Sequence, residues 1–527
     1  MSIKKRLLVS KFGKLKLAML IFSLLIVQIT GINGYISTSS NLQILNSHDT
    51  ISSERFEGYN LYVLDLITYD TSMFISRKIL ITDLEGNIHT EREISHNNIV
   101  SDCPVEFINS TTLVYGESGG AKLWNLETNV TVNLNFEGHH EVEYDYLRDT
   151  YYTFNRYVTE IDEEFYSFDY INEYNSSGHL IRSLDTQNYT NISQICPFED
   201  FFNSSSDVFH ANSLVIDEDE DVIYLNGRST NTFYKIDRQT GDLIWALGRY
   251  GNFSNYDIYG DLREFLWFHS HSLEKIGDNK FLLFDNDNHN QTDATNHDSR
   301  LVEITIDEDK MQANVTWEWI GTEEYWSLIW GDCDLLPNSN KLGVFGYTLY
   351  KGKTEGAKIV EVNNDGEILW ELSSPKEENL KYAIYTMDRI RFAPITSEPR
   401  LIDSKSNPYF EWDVWYNFRS KTNFTGEYFI YLDDQLVQSD NITFPKYWQP
   451  LTIQYNLPEV TDGRHEISIV VVDEGGHLSI DSAFYDGEGS AKFRLKWNLE
   501  LILGTSLGIG VPVISASIFV WFKFLKK

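Results

Sequence analysis

The chain has 527 residues, of which 14% are aromatic, and it carries a formal net charge of −35. That length exceeds one ordinary hydrophobic core, so we expect two or more domains. The negative charge argues against nucleic-acid binding, because a protein that contacts phosphates needs a basic surface patch. The three cysteines, Cys103, Cys196 and Cys333, allow one disulfide at most, and the lack of a C-x-x-C pair argues against a thiolate zinc site.

Both ends of the sequence combine basic residues with a long apolar run. Near the N-terminus about 16 apolar residues follow a basic stretch, so residues 1–36 are predicted to be a signal peptide or an uncleaved signal anchor. Near the C-terminus about 22 apolar residues and a basic stop predict a transmembrane helix at 499–523. Basic flanks favour the cytoplasm, so we expect a cell-membrane protein whose central residues form an extracellular ectodomain.

Acceptor sequons for N-glycosylation, N-x-[ST], agree with that orientation. All of them lie between the two apolar segments, where the secretory pathway would modify them. We therefore expect a glycoprotein. The sequons begin at Asn109, Asn129, Asn175, Asn188, Asn191, Asn203, Asn252, Asn290, Asn314, Asn423 and Asn441.

Residues 55–395 repeat a unit of four predicted strands. Each copy opens with a strand that alternates apolar and polar residues, and the later copies end in a strand that carries tryptophan. Repeats of about 45 to 70 residues with four strands are typical of propeller blades. We therefore predict a six-bladed β-propeller, closed by a late strand at 382–392. The six copies lie at 60–94, 103–134, 139–184, 210–247, 269–320 and 332–372.

Residues 400–495 change character. They contain alternating strands joined by turns such as Asp433-Asp434 and Asp462-Gly463. This pattern predicts a small antiparallel sandwich of immunoglobulin-like type, which would serve as a spacer beside the membrane. The expected fold class is all-β: a six-bladed β-propeller followed by an immunoglobulin-like β-sandwich, with hydrophobic helices at the N- and C-termini.

Four polar side chains lie at or near the starts of predicted inner strands, and a fifth, Arg228, lies in the next strand of the His210 blade; the four are His140, His210, Asn212 and His271. In a propeller, such positions meet at one mouth of the central channel. A single histidine at a strand end is more often structural, but three at one position of different blades favour a shared site. Three histidines could bind zinc, yet a nearby guanidinium opposes a divalent cation and suits a tetrahedral oxyanion. The set therefore favours transfer of an oxyanion group by a nucleophilic imidazole, with no metal.

The same region, from about 59 to 392, resembles the arylsulfotransferase (aryl sulfate sulfotransferase) family. The resemblance implies a propeller enzyme that uses no cofactor and no nucleotide-activated sulfate (PAPS). It rests on the motifs GHHEVEYD at 138–145, DVFHANSL at 207–214, NGRS at 226–229, FHSHS at 268–272, GDNKFLLFDN at 277–286, SRLVEI at 299–304, DLLPNSNKLGVFG at 334–346 and YTMDRI at 385–390.

Matching the motifs position by position implies that His271 is the nucleophile, which is transiently sulfurylated. His140, His210, Asn212 and Arg228 would bind the sulfuryl group, and His140 or His210 would handle the proton. The expected partners are an aryl sulfate donor and a phenolic acceptor, used in a ping-pong reaction. His269 is close enough in sequence to compete with His271 for the nucleophilic role.

Two other functions stay open from the sequence. A propeller that has lost turnover would be a cell-surface binding protein or adhesin, and Ser272, where the family often has aspartate, slightly favours this alternative. A hydrolase would release free sulfate without any acceptor. Aromatic residues flanking the motifs could sandwich the aryl ring, although packing between blades is at least as good an explanation for each; they are Trp267, Phe268, Tyr325, Trp326 and Trp330.

Overall fold

The structure is a computed structural model, and it describes residues 46–47, 54–68, 74–95, 104–118, 120–194, 196, 201–202, 205–288, 298–350, 353–375, 379–402, 408–457, 463–486 and 493–494. The predicted signal segment at 1–36 and the predicted transmembrane helix at 499–523 lie outside these residues. Within them, no helix is long and apolar enough to cross a membrane. Cys103 also lies outside them, while Cys196 and Cys333 are buried and not bonded to each other.

The described residues are almost entirely strands, and their helical content is three single 3₁₀ turns at Thr186–Asn188, Ile192–Gln194 and Glu323–Tyr325. The all-β class is therefore confirmed. The strands up to residue 390 are β1 (Asn46–Ser47), β2 (Tyr59–Thr68), β3 (Phe74–Thr82), β4 (Ile88–Glu93), β5 (Val105–Asn109), β6 (Thr112–Glu117), β7 (Gly120–Asn125), β8 (Thr131–Asn133), β9 (His139–Asp145), β10 (Thr150–Ile161), β11 (Glu164–Asn175), β12 (Leu180–Asp185), β13 (Phe201–Phe202), β14 (Ser205–Asp207), β15 (Ala211–Asp217), β16 (Val222–Gly227), β17 (Thr232–Asp237), β18 (Leu243–Gly248), β19 (Ser254–Tyr256), β20 (Leu262–Arg263), β21 (His271–Gly277), β22 (Lys280–Asp285), β23 (Arg300–Asp307), β24 (Gln312–Ile320), β25 (Asp332–Leu335), β26 (Lys341–Tyr350), β27 (Lys353–Val362), β28 (Ile368–Ser373) and β29 (Leu380–Ile390).

These strands form six sheets, each built on four antiparallel neighbours. Five of the sheets use four strands in chain order: β5–β8, β9–β12, β15–β18, β21–β24 and β25–β28. The remaining sheet has the order β29-β2-β3-β4, and its pairing runs from Tyr59 opposite Ile390 to Thr68 opposite Leu380. The late strand therefore joins the two ends of the region in one sheet.

The first strands of successive sheets touch one another. β9, β15, β21, β25 and β29 are in contact in that order, β29 also contacts β5, and β6 contacts β9, so the six sheets follow one another around a closed ring. The hydrophobic core lies between adjacent sheets. Trp370 of β28 is fully buried there, and its indole nitrogen donates to the Leu84 carbonyl 2.8 Å away, which links the last sheet to the first.

Burial explains why the strands differ in sequence. All residues of β15 and β16 are buried, and both strands contain an unbroken apolar run, LVI at 214–216 and VIYL at 222–225. At the outer edge of its sheet, β4 alternates half-buried and exposed residues, and its sequence is polar throughout apart from its first residue. Strands buried on both faces lose the alternation that marks a half-exposed strand.

The C-terminal region forms two further antiparallel sheets with a shared core. Trp412 and Val414 of one sheet and Ile430 and Ile469 of the other are fully buried in that core, which continues into the sheet containing β2. The strands are β30 (Ile395–Thr396), β31 (Arg400–Ile402), β32 (Tyr409–Trp415), β33 (Phe424–Leu432), β34 (Gln435–Phe444), β35 (Leu451–Asn456), β36 (Arg464–Asp473), β37 (Leu478–Asp486) and β38 (Phe493–Arg494).

A segment of this C-terminal region, Phe418 to Lys421, lies against the inner strands of the ring. Arg419 forms an ion pair with Glu274, and Lys421 pairs with Glu143 and, at 3.2 Å, with Glu106. A cavity of about 70 Å³ lies between this segment and the ring, beside the ion pairs that join them. Its lining residues include Asn212, Asp332 and Tyr385. The C-terminal region thus places two cations into an acidic part of the ring.

Candidate active site

The predicted site residues lie where the inner strands of three successive sheets begin. His140 is in β9, His210 immediately precedes β15, and His271 is the first residue of β21. Each of these strands carries a β-bulge near its start, which leaves the segment His140-Glu141, Asn212 or Ser272 outside the regular pairing. Bulges bend a strand and redirect its side chains, and here they occur beside each predicted histidine.

Two of the three histidines contact one tyrosine, and the third contacts one of those two histidines. The rings of His140 and His210 meet edge to face, with centroids 5.0 Å apart. The Tyr385 ring lies 5.8 Å from that of His140 and 6.3 Å from that of His271, also edge to face. His140 and His271 are 131 positions apart in the sequence, yet these rings lie close together, and all of them are largely buried.

Arg228 is next to His210. Its main-chain N–H donates to the His210 carbonyl at 3.1 Å, and its side chain is buried. The pKa of His210 lies well below its usual range, first because burial disfavours the imidazolium and then because the guanidinium groups of Arg156 and Arg228 repel it. The His210 Nδ1 atom lies 2.5 Å from Asp207 Oδ2, so the neutral ring donates its Nδ1 proton to that carboxylate.

Asn212 connects two sheets from within the site. Its Nδ2 donates to the Ser270 carbonyl at 2.8 Å, its Oδ1 accepts from Asn226 Nδ2 at 2.7 Å, and its carbonyl accepts from the Tyr385 hydroxyl at 3.0 Å. The Asn212 amide therefore fixes the loop that carries His271.

His271 has a defined tautomer. Its Nδ1 atom lies 2.6 Å from Asn286 Oδ1. The Asn286 Nδ2 group donates at 2.9 Å to the carbonyls of both Ser327 and Trp330, which fixes this oxygen as the acceptor toward His271. The neutral imidazole must therefore hold its proton on Nδ1, and Nε2 carries the lone pair that a nucleophile needs.

The other sequence candidates have different surroundings. The main-chain N–H of His269 donates to Asn231 Oδ1 at 2.8 Å, and its ring is fully buried. Trp267 stacks on Phe233 in the core between sheets, and the Tyr325 hydroxyl donates to Glu371 at 2.7 Å inside another core. Of the predicted aromatic residues, Trp330 has its ring beside Tyr385, with centroids 6.2 Å apart.

Three residues of the site were missed by reasoning from sequence: Tyr385, Asn286 and Asp207. Each lies inside a motif that carries the family resemblance, but no spacing indicated its role. Asp207 is three residues before His210, and a D-x-x-H pattern at a strand entry is a signal that could have suggested it. Tyr385 contacts the histidines from a different sheet, and Asn286 meets His271 across the β21–β22 pair, at a distance in sequence that does not show the contact.

The site is suited to a tetrahedral oxyanion. Arg228 supplies a guanidinium, whose forked donors match sulfate and phosphate oxygens. A metal ion needs at least three ligand atoms close together. Among the described residues, Glu106, Glu141 and Glu143 meet this condition, with ligand atoms within 4.8 Å of one another, and the site histidines are not part of that set. With a lone pair on His271 Nε2, the arrangement can bind an anionic group and attack its central atom.

Comparisons with known proteins give one family. The family model described as arylsulfotransferase (ASST) matches residues 70–386, which is more than half of the chain. A search of curated proteins found no match. Solved structures share the chain's architecture only loosely. A mutant of the Synechocystis apocarotenoid oxygenase is 10% identical and has a TM-score of 0.32, with 73% of this chain and 89% of that chain covered.

Two lactonases are similar to the same limited extent. The Pseudomonas aeruginosa periplasmic gluconolactonase is 12% identical, with 62% of this chain and 99% of that chain covered and a TM-score of 0.33. A putative 6-phosphogluconolactonase of Bacteroides fragilis is 9% identical, with 62% and 97% covered and a TM-score of 0.27. At these TM-scores the similarities do not bear on function.

Proposed function

The chain belongs to the arylsulfotransferase family, and we propose that it transfers a sulfuryl group from a phenolic sulfate ester to an acceptor phenol through a sulfohistidine on His271, independently of PAPS. The observation that carries this proposal is the tautomer of His271. Asn286 holds the Nδ1 proton, so the lone pair on Nε2 is on the ring edge away from Asn286, in a site that also contains Arg228. A buried neutral imidazole, in a site whose guanidinium can bind an anion, suits attack on sulfur.

We propose further that the scaffold is a six-bladed propeller, with the C-terminal pair of sheets as an immunoglobulin-like sandwich. The six four-stranded sheets, the contacts of their first strands around a closed ring, and the pairing of β29 with β2 support the propeller. In this scaffold the substrate enters at the ends of the inner strands where the three histidines lie. In this proposal the propeller spans residues 55–395 and the sandwich spans residues 400–495, as expected from the sequence.

The first half-reaction follows from the positions of the protons. The lone pair on His271 Nε2 forms a bond to sulfur, and the bond between sulfur and the aryl oxygen breaks, with its electron pair leaving on the phenolate. The His271 ring becomes positively charged, and the Nδ1–H bond to Asn286 stabilises that charge. Arg228, His210 and Asn212 would hold the sulfuryl oxygens while the charge shifts.

The second half-reaction reverses the first with a different phenol. The acceptor oxygen attacks sulfur, its proton passes to a histidine base, and the bond to His271 Nε2 breaks with the electron pair returning to the ring. His140 and His210 both lie close enough to the site to accept the proton. Because each step leaves the enzyme in a state ready for the next, the kinetics are ping-pong.

The charge of the site favours sulfate over phosphate. Two guanidinium groups, of Arg156 and Arg228, are balanced by the carboxylates of Asp169 and Asp207, which pair with Arg156 at 3.3 Å and 3.7 Å. A lowered pKa keeps His210 neutral near pH 7. An aryl sulfate brings one negative charge and an aryl phosphate brings nearly two, so the dianion is bound less well. We therefore expect 4-nitrophenyl phosphate to be a poor donor.

The nucleophile is tested by comparing His271→Ala with His179→Ala, an exposed histidine on the turn after β11. His271→Ala should lower transfer from 4-nitrophenyl sulfate by at least about a thousandfold, as loss of a covalent nucleophile does, while His179→Ala stays unchanged. With a sulfur-35 donor, the label should remain on a histidine of the wild-type protein. Full activity of His271→Ala would refute the assignment.

The same labelling separates the other functions. Free sulfate released without any acceptor would indicate a hydrolase. Label that binds reversibly and never becomes covalent would indicate a non-catalytic binding protein. The family and the intact set of histidine, asparagine and arginine side chains support the enzyme over both.

We also propose that the protein is held at the cell membrane with its described residues outside the cytoplasm, through the apolar segments at 1–36 and 499–523. The exposure of several sequon asparagines supports this location, since glycosylation needs an accessible side chain. Deglycosylation should lower the apparent mass of the natively produced protein, and an unchanged mass would count against it. The exposed sequons begin at Asn129, Asn188, Asn191, Asn252, Asn423 and Asn441.

A further inference from the structure

His139 and Asp169 lie behind His140. In the mechanism described above, Asp169 contributes only to the charge balance of the site, and His139 has no role. The Nδ1 atoms of His139 and His140 are 2.6 Å apart, a hydrogen-bond distance. On the far side of its ring, His139 Nε2 lies 3.2 Å from Asp169 Oδ1, an electrostatic contact that does not meet hydrogen-bond geometry. Asp169 is completely buried at the centre of β11 and also accepts from the Ala211 main-chain N–H at 2.7 Å.

The protons of this chain can be placed from the acceptors at its end. Arg156, Ala211 and His139 all approach Asp169, and these groups hold the pKa of Asp169 far below its usual value despite its burial, so it is an anion. The carboxylate therefore faces a protonated Nε2 on His139. Burial lowers the pKa of His139, so its ring is neutral and its Nδ1 carries a lone pair. The hydrogen bond between the two Nδ1 atoms must then be donated by His140.

We propose, on the basis of the function proposed above, that His139 is a positioning residue: together with Asp169 it fixes the proton of His140 on Nδ1, so that Nε2 of His140 is the base that takes the proton of the acceptor phenol. The His140 ring also contacts the rings of His210 and Tyr385 in the site, with centroids 5.0 Å and 5.8 Å away. When Nε2 gains a proton, the positive charge is shared through His139 toward the Asp169 carboxylate.

The relay distinguishes His140 from His210. His210 is backed by a carboxylate directly, but burial, followed by the positive charges of Arg156 and Arg228, holds its pKa well below the usual range and keeps it neutral. His140 is backed by the His139 ring instead, and behind that ring Asp169 pairs with Arg156 at 3.3 Å. His210 is thus suited to a fixed neutral role toward the sulfuryl group, while His140 exchanges the proton.

The proton balance of the second half-reaction is then complete. The phenol oxygen forms a bond to sulfur as its proton passes to His140 Nε2, and the bond from sulfur to His271 Nε2 breaks. The first half-reaction needs no proton when the donor is 4-nitrophenyl sulfate, because 4-nitrophenolate is a stable leaving group near neutral pH. Loss of the relay should therefore affect the two half-reactions differently.

The test uses His139→Phe in the whole protein, because phenylalanine keeps the ring and its packing near Phe154, 6.0 Å away, but removes both nitrogen atoms. The burst of 4-nitrophenolate in the absence of acceptor should be unchanged. Transfer to unsubstituted phenol should fall by about a hundredfold, the usual contribution of a general base. With 4-nitrophenol as labelled acceptor at pH 8, which is already ionised, the variant should regain nearly the wild-type rate.

Equal slowing of both half-reactions would show that His139 has a structural role, and an unchanged rate with phenol would show that it has none; either result overturns the relay. Asp169→Asn is the second variant, since it keeps the shape of the side chain, and it should slow transfer to phenol selectively as well. A wild-type protein that gives no burst would instead refute the proposed sulfohistidine. The two proposals can therefore fail separately.

Discussion

Replacing Lys421 by methionine should strongly destabilise the protein, and more so at high pH. Methionine keeps most of the apolar stem but removes the charge from a buried acidic cluster. Lys421 is the ion-pair partner of Glu143, whose side chain is 1% exposed, and lies 3.2 Å from Glu106, whose side chain is 18% exposed. These acidic groups, together with Glu274 and Glu141, raise the pKa of Lys421 well above its usual value despite burial, so it is charged at every pH of interest.

The magnitude follows from what the substitution leaves behind. Removing one partner of a buried ion pair typically costs about 3–5 kcal/mol, because the other charge stays buried and unpaired. The remaining carboxylates can take up protons instead, and this is easier at low pH. Burial and neighbouring acids already raise the pKa of Glu143 to about 8 even with Lys421 present. We therefore expect a loss of about 3 kcal/mol or more at pH 8.5 and a clearly smaller loss at pH 5.5.

The assay is urea unfolding followed by tryptophan fluorescence at both pH values. Lys446→Met is the matched control, because Lys446 comes from the same C-terminal region and reaches the ring 2.6 Å from Asp219, whose side chain is 75% exposed. An exposed pair of this kind contributes at most about 1 kcal/mol. If Lys421→Met were no worse than Lys446→Met at pH 8.5, or lost more stability at pH 5.5, the buried acidic cluster would not have the energetic role given to it here.

Two further predictions concern the wild-type cluster and the nucleophile. Burial raises the pKa of Glu143 to about 8 and that of Asp332 to about 6, so the folded protein holds protons that the unfolded chain releases. The free energy of unfolding should therefore fall as the pH rises from 5 to 8.5. In urea unfolding, Glu143→Gln should flatten this slope, and a rising slope in the wild type would contradict the burial of these acids. Asn286→Leu removes the acceptor for the His271 Nδ1 proton and should lower kcat/KM for aryl sulfate by about tenfold to a hundredfold. The control is Asn288→Leu, which should leave kcat/KM nearly unchanged, because Asn288 is a buried neighbour that donates to the Leu328 carbonyl instead.

The sequence predicted the all-β class and the order of the strands because local patterns determine both. Alternation and polar turns are each contained in a few residues, and so is the sequence G-x-[LI]-[IL]-W, which occurs at 241–245 and 366–370 where two of the tryptophan-bearing strands begin. The structure places the tryptophans of both copies, Trp245 and Trp370, in buried clusters between sheets. The Asp433-Asp434 turn likewise adopts left-handed backbone at both residues, as a tight hairpin requires. The late strand at 382–392 was expected to close the ring, and β29 pairs with β2.

The supporting residues of the site could not be found in that way. Asp169 faces Arg156 across the β10–β11 pair, so its role depends on strand register. On the other side of β10, the bulge at Thr153 and Phe154 shifts the register of β9 next to the site. Tyr385 reaches the histidines from the sheet that closes the ring. Such contacts depend on how sheets and strands are placed relative to one another, and a single sequence does not specify that placement to within one residue.

The backbone of the site gives a physical reason why the bulges occur there. His140, His210 and Ser272 have φ values of 63°, 55° and 47°, in the left-handed region that costs a residue other than glycine about 1 kcal/mol. None of these positions is glycine, although glycine would remove that cost. A regular strand would send successive side chains to opposite faces of its sheet, whereas a bulged entry turns the histidine toward the ring interior. This conformational cost recurs in three successive sheets. Two of them must direct an imidazole into the site from this backbone position, and in the third the strained residue, Ser272, directly follows the site histidine His271. Substituting His210 by glycine would therefore relieve the backbone strain but remove the imidazole from the site. This is expected if the strained backbone is kept because the reaction needs the side chain at that position.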